Sequence, residues 1–84
     1  MYRVTFSKHA DKVLRKMPTN TARMITGKIR ELAKAPKSMR NVKRLTDHPG
    51  YRLRIGDWRV VYTIHEQEVM IHVIKIKSRG EVYK

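Results

Sequence analysis

A chain of 84 residues is enough for one domain with one modest core, and it reads as a single domain over residues 1–84. Twenty Lys and Arg against seven Asp and Glu leave a formal charge of +13, which repels the compact state from itself and predicts a polyanionic partner. The absence of cysteine excludes both a disulfide framework and a thiolate metal site.

Nucleic acid or an acidic protein would satisfy that charge. Membrane-surface binding would instead require a basic amphipathic helix with bulky apolar residues opposite, so no membrane partner is expected. The start "MYRVTFSKHADKV" has no apolar h-region and no run reaches the length of a membrane span, which predicts a soluble, cytoplasmic protein. His9, His48, His65 and His72 lack ligand spacing, so neither a metal nor any other cofactor is expected.

Along the chain, "YRVTF" alternates Tyr2, Val4 and Phe6 with Arg3 and Thr5, the period of a half-buried strand. Ser7 then offers an N-cap, and Ala10, Val13, Leu14 and Met17 form the stripe of a helix that Pro18 stops. Thr19, Asn20 or Thr21 can cap a second helix with the stripe Ala22, Ile25, Ile29 and Leu32, ending before Pro36. The segment "KAPKSMRNVKRLTDHPG", Lys34 to Gly50, reads as a basic loop with one short strand around Val42 to Leu45. Three alternating runs follow, Tyr51 to Ile55, Trp58 to His65 and Val69 to Lys77, separated by Gly56-Asp57 and Glu66-Gln67-Glu68. The expected fold is α+β: an N-terminal strand, a helical hairpin and an antiparallel three-strand meander in one sheet, with the helices on one face. Its other face would then be open to solvent.

A two-residue turn at Gly56-Asp57 sets Ile55 opposite Trp58, Arg54 opposite Arg59 and Arg52 opposite Val61. Tyr51, Leu53, Ile55, Trp58, Val60 and Tyr62 then share the core face, and Arg52, Arg54 and Arg59 project from the other. Strand arginines often do no more than cover a solvated face and splay apart. Three together in so basic a chain favour an anion among them, and guanidinium forks suit phosphate oxygens.

In the last strand, a three-residue loop at Glu66-Gln67-Glu68 would pair Arg59 with Lys75 and add Lys75 and Lys77 to the arginine face. It would also place Ile64, Met70, Ile74 and Ile76 in the core with His72 beside them, a packed and hydrogen-bonded histidine. In the tail "KSRGEVYK", Val82 and Tyr83 can anchor the terminus, or Tyr83 can stack on a base or transfer a proton while Arg79 contacts phosphate.

This order of elements, the block "YRLRIGDWRVVYTI" and the terminal "RGEVYK" resemble the RelE/ParE superfamily of toxin–antitoxin systems over essentially the whole chain. The spacing resembles the RelE branch, small toxins that cleave messenger RNA in the ribosomal A site, more than the ParE branch, which inhibits DNA gyrase. The resemblance implies a RelE-like fold, a metal-independent, ribosome-dependent endoribonuclease, and a cognate antitoxin, ribosome and mRNA as partners. It implies that Arg52, Arg54 and Arg59 hold the RNA backbone and stabilise the transition state, with Lys75, Lys43 and Arg44 completing the RNA-binding surface. Arg79 and Tyr83 match the family's functional tail. Members often carry Gly-His before that arginine, where this chain has Lys77 and Ser78. Cleavage needs the 2′-OH deprotonated, the phosphorane charge stabilised and the leaving oxygen protonated. Lysine, unlike arginine, can give up its proton, so Lys77 or Lys75 becomes the candidate base. The alternative functions are gyrase inhibition without chemistry, and nucleic-acid binding without toxicity.

Overall fold

The computed structural model describes residues 1–78, which form two helices packed on one face of a five-stranded mixed sheet. In chain order these are β1 (Arg3–Phe6), α1 (Lys8–Lys16), α2 (Thr19–Lys34), β2 (Val42–Arg44), β3 (Tyr51–Ile55), β4 (Trp58–His65) and β5 (Met70–Ser78). The sheet order is β1-β5-β4-β3-β2. All neighbours are antiparallel except β1 and β5, which run parallel, and the helical hairpin carries the chain from β1 at one edge of the sheet to β2 at the other.

Each predicted helix stripe finds the sheet. Ala10 from α1 and Ile25, Ile29 and Leu32 from α2 pack with Leu53, Ile55, Val60, Tyr62, Ile71, Val73 and Ile76 in one buried cluster. Ser7 caps α1 as expected, its hydroxyl accepting from the Ala10 N–H at 3.0 Å. The second helix differs from the expectation that Thr19, Asn20 or Thr21 would cap it. Pro18 occupies the N-cap position with no side-chain hydrogen bond, and Thr19 is already helical. Proline's fixed φ suits the start of a helix, and the tight link to α1 leaves no spare residue for a cap.

The turn at Gly56-Asp57 pairs Ile55 with Trp58, Arg54 with Arg59 and Arg52 with Val61, as its length requires. Gly56 has φ +58° and Asp57 does not share the positive φ, the pattern of a turn that accepts glycine at its first central position. Gly50 is constrained by space instead. A Cβ there would lie 2.7 Å from the Tyr62 carbonyl oxygen and 2.9 Å from His48 Nδ1.

The last strand corrects the sequence reading. His65 pairs with Met70, so the connection has four residues rather than three, and Val69 takes φ 50° in it. Arg59 faces Lys77, not Lys75, and Lys75 faces Val61. Between Val61–Lys75 and Tyr62–Val73 the register shifts by one residue, leaving Ile74 as a bulge. Ile71 and Val73 therefore point into the core with Ile76, whereas Met70 and His72 lie on the open face. The expectation of Met70 in the core with His72 beside it fails because it assumed unbroken alternation.

Ser7 also holds the bulge, because its hydroxyl donates to the Ile74 carbonyl while accepting from Ala10. One side chain thus ties the start of α1 to the irregular point of β5. Ser7→Ala removes the cap and orphans a part-buried carbonyl, which should cost about 2 kcal/mol. Thermal unfolding should show a midpoint lower by roughly 8–16 °C for a domain of this size.

Candidate functional site

The helices cover one face of the sheet, and alternation sends the strand cations to the other. Arg54, Arg59 and Lys77 form one row across β3, β4 and β5. Lys43, Arg52, Val61 and Lys75 form the next row across β2 to β5. Six positive side chains thus stand on two adjacent rows. Cross-strand neighbours on one face are about 4.5–5.5 Å apart at Cβ, so like charges in such rows repel.

Among the described residues no ion pair relieves that repulsion. Among the described residues the ion pairs are Arg15 with Asp11 at 3.0 Å and Lys28 with Glu31 at 3.3 Å, both exposed and both within a helix. Asp57 sits in the β3–β4 turn with no ion pair to another described residue, and Glu66 accepts a hydrogen bond from the Tyr2 hydroxyl at 2.9 Å. That bond to Glu66, with burial adding to it, raises the Tyr2 phenol above its usual range. Among the described residues the cations of the two rows have no carboxylate partner.

The members of the rows differ in exposure. Arg54, Lys43 and Lys75 are exposed, and Arg52 and Lys77 are half-buried. Arg59 departs from the expectation of a freely projecting side chain, since it is only 5% exposed. One terminal guanidinium nitrogen donates to the carbonyls of Gly56 at 2.9 Å and Trp58 at 3.0 Å, which folds the group back on the turn. Its Nε is buried with no hydrogen-bond partner. A buried cation with two carbonyl acceptors, an orphaned N–H and no carboxylate partner among the described residues is costly to the fold, the kind of cost that functional sites carry.

Of the residues singled out in the sequence, Lys43, Arg52, Arg54, Arg59, Lys75 and Lys77 come together. Arg44 does not, because it pairs with Tyr51 and so alternates to the opposite face of the sheet edge. Arg79 and Tyr83 lie outside the described residues. Tyr62, in the middle of β4, is fully buried on the core side and stacks on Tyr51 with ring centroids 5.7 Å apart. Burial, and secondarily Tyr51, pushes its phenol far above the usual value, so it stays a neutral core group. His72 is the open-face residue that the sequence reading placed elsewhere. Its signal is the apolar doublet Val73-Ile74, which breaks the period of two and spaces the polar positions 72, 75 and 77 unevenly.

The sequence matches the family described as the ParE toxin of type II toxin–antitoxin system, parDE, over residues 4–83. No curated protein sequence matches it. Among solved structures, the archaeal RelE–RelB complex from Pyrococcus horikoshii is similar at 30% identity and TM-score 0.79, covering 94% of this chain and 96% of that one. The isolated RelE toxin of E. coli is similar at 25% identity and TM-score 0.78, with 99% and 92% covered. In the intact E. coli RelBE toxin–antitoxin complex the matching chain has 23% identity and TM-score 0.80, with 93% and 96% covered, a likeness of fold.

Proposed function

Because the chain belongs to the ParE toxin family of type II toxin–antitoxin systems, within the RelE/ParE superfamily, we propose that it acts in the RelE manner, as an endoribonuclease that cuts messenger RNA on the ribosome. The observation that carries this reading is the pair of unneutralised cation rows on the open face. An extended single strand laid across them would meet a guanidinium or ammonium at each of several phosphates.

In this reading Arg52, Arg54, Lys43 and Lys75 hold the backbone. Arg59 stabilises the charge that develops on the phosphorane, as a buried donor whose orphaned N–H acquires a partner only when substrate arrives. Lys77, beside Arg59, is the candidate base, and Arg79 and Tyr83 complete the site from the tail, with Tyr83 stacking on a base or moving a proton. Arg44, exposed on the other side of the edge, is left to backbone contact outside the two rows. The open face is a surface, and the ribosome would supply the orientation that a deeper pocket supplies elsewhere. Free RNA is then a poor substrate.

A cognate antitoxin is the second partner. The archaeal and E. coli relatives are recorded in complex with RelB. A net charge of +13 gives such a partner a physical role here, because acidic side chains would neutralise the rows and slow dissociation.

The experiment is a reconstituted translation system with a defined message, new 3′ ends mapped by primer extension, and gyrase supercoiling assayed in parallel. The expected result is cutting within codons that requires ribosomes and falls by about 10²-fold or more in Arg54→Ala. The match to the ParE description favours one second reading, a gyrase-binding toxin without chemistry. An intact message with gyrase inhibited would establish that reading and make the cation rows a protein-binding surface.

A further inference from the structure

The open face does not end at the cation rows. Beyond the bulge its next row is Thr63, His72 and Thr5, across β4, β5 and β1, and the row after that holds His65, Met70 and Arg3. The Thr63–His72–Thr5 row contains no cation and no carboxylate. The bulge at Ile74 brings it onto this face, since without that extra residue His72 and Lys75 would point to opposite sides.

His72 is held rather than free. Its Nδ1 lies 2.8 Å from Thr5 Oγ1, which restrains the ring and leaves Nε2 without a hydrogen bond to another described residue. The ring is half-buried, next to Thr63, whose hydroxyl is 2.9 Å from His65 Nε2. At about 3.3 Å per residue, the step from Arg59 to Thr63 puts His72 roughly 13 Å from the Arg59 row. That is too far to act on a phosphate held there. It is the right placement for a neighbouring nucleotide.

We infer that this row is a subsite for an unpaired base of single-stranded RNA, with the His72 imidazole as the group that touches the base and Thr5 as the residue that positions it. The inference rests on the RNA reading above for the identity of the polymer. An immobilised imidazole on a neutral, hydrogen-bonding surface offers a stacking face and one edge nitrogen, which suits a base, whereas the charge that holds a phosphate lies in the neighbouring rows. Continuity with the cation rows supplies the backbone grip that a base subsite needs and lacks on its own.

Binding of short, uncleavable 2′-O-methyl homopolymers of A, C, G and U, read by fluorescence anisotropy over a salt series, tests the assignment. The wild-type protein should bind the four unequally. His72→Ala should weaken the preferred polymer by about tenfold, level the four affinities and leave the salt slope unchanged. Lys75→Ala should weaken all four alike and lower the slope by about one. Thr5→Val should reproduce much of the His72→Ala pattern and Thr5→Ser should restore preference, which a purely structural threonine would not do. Circular dichroism checks that each variant is folded.

A preference unchanged in both His72→Ala and Thr5→Val would overturn the subsite, as would an equal loss on all four polymers. If antitoxin binding falls in His72→Ala while the RNA pattern stays, the row is a protein surface. Wild-type protein that binds no homopolymer at low salt would also overturn the subsite. The ribosome cleavage assay decides the enzyme reading separately, so failure of one does not masquerade as failure of the other.

Discussion

Arg59→Met is expected to raise the unfolding temperature by about 4 °C or more while lowering ribosome-dependent cleavage by about 10²–10³. The two effects have one cause. Arg59 is buried, faces Arg54 on one side and Lys77 on the other, and has no carboxylate partner among the described residues. Its two acceptors are turn carbonyls, and its Nε donates to nothing. Replacing a buried ion by an apolar side chain of similar length is often neutral or stabilising by 1–4 kcal/mol, because desolvation outweighs what the ion gains. Here the ion also repels two neighbours, so the balance should favour methionine. The turn carbonyls it leaves can turn to water at the end of the hairpin.

The activity should move the other way because, in the proposed reading, a desolvated guanidinium beside the substrate stabilises the charge that develops there. Thermal melts and single-turnover cleavage on programmed ribosomes, made on the same preparations, would check the pair of signs. Stability and activity falling together would mean that Arg59 mainly pins the Gly56-Asp57 turn, and the electrostatic role would pass to Arg54.

Much of this arrangement could be read from the sequence where one local feature fixed many partners. The Gly56-Asp57 turn did so for β3 and β4: once the loop has two residues, every pair from Ile55–Trp58 to Tyr51–Tyr62 follows. The helix stripes were legible for the same reason, as period alone aims Ile25, Ile29 and Leu32 at a common core. The β4–β5 register was not. A four-residue connection and a bulge at Ile74 each shift the pairing by one, and two such shifts leave Lys75 and Lys77 on the expected face while exchanging Met70 and His72 for Ile71 and Val73. The lysines were thus assigned to the right face but the wrong partners, and the histidine to the wrong face, from one assumption of regular alternation. The burial of Arg59 was equally illegible, because it depends on a fold-back onto turn carbonyls rather than on the facing of the strand. Pro18 at the start of α2 hid behind three better capping residues that follow it.

Lys77 carries the second large prediction, since it decides between charge and proton transfer at the centre of the proposed site. It stands directly opposite Arg59 and in the same row as Arg54, half-buried. Lys77→Ala should lower single-turnover cleavage by about 10²–10⁴, the range for loss of a positioned acid or base. That loss alone would not separate the two roles. Lys77→Arg does, because the guanidinium preserves the charge and never gives up its proton. The expected result is ribosome binding at the wild-type level with cleavage no better than in the alanine variant, since the 2′-OH would then lack its acceptor. Recovery of cleavage in Lys77→Arg would instead make Lys77 a further phosphate-holding cation, beside Arg52, Arg54, Lys43 and Lys75. Proton transfer would then fall to the tail, where Tyr83→Phe is the variant that should show the loss. Either result also bears on Arg59, because Lys77 faces it directly across β4 and β5 and the two cations share one row.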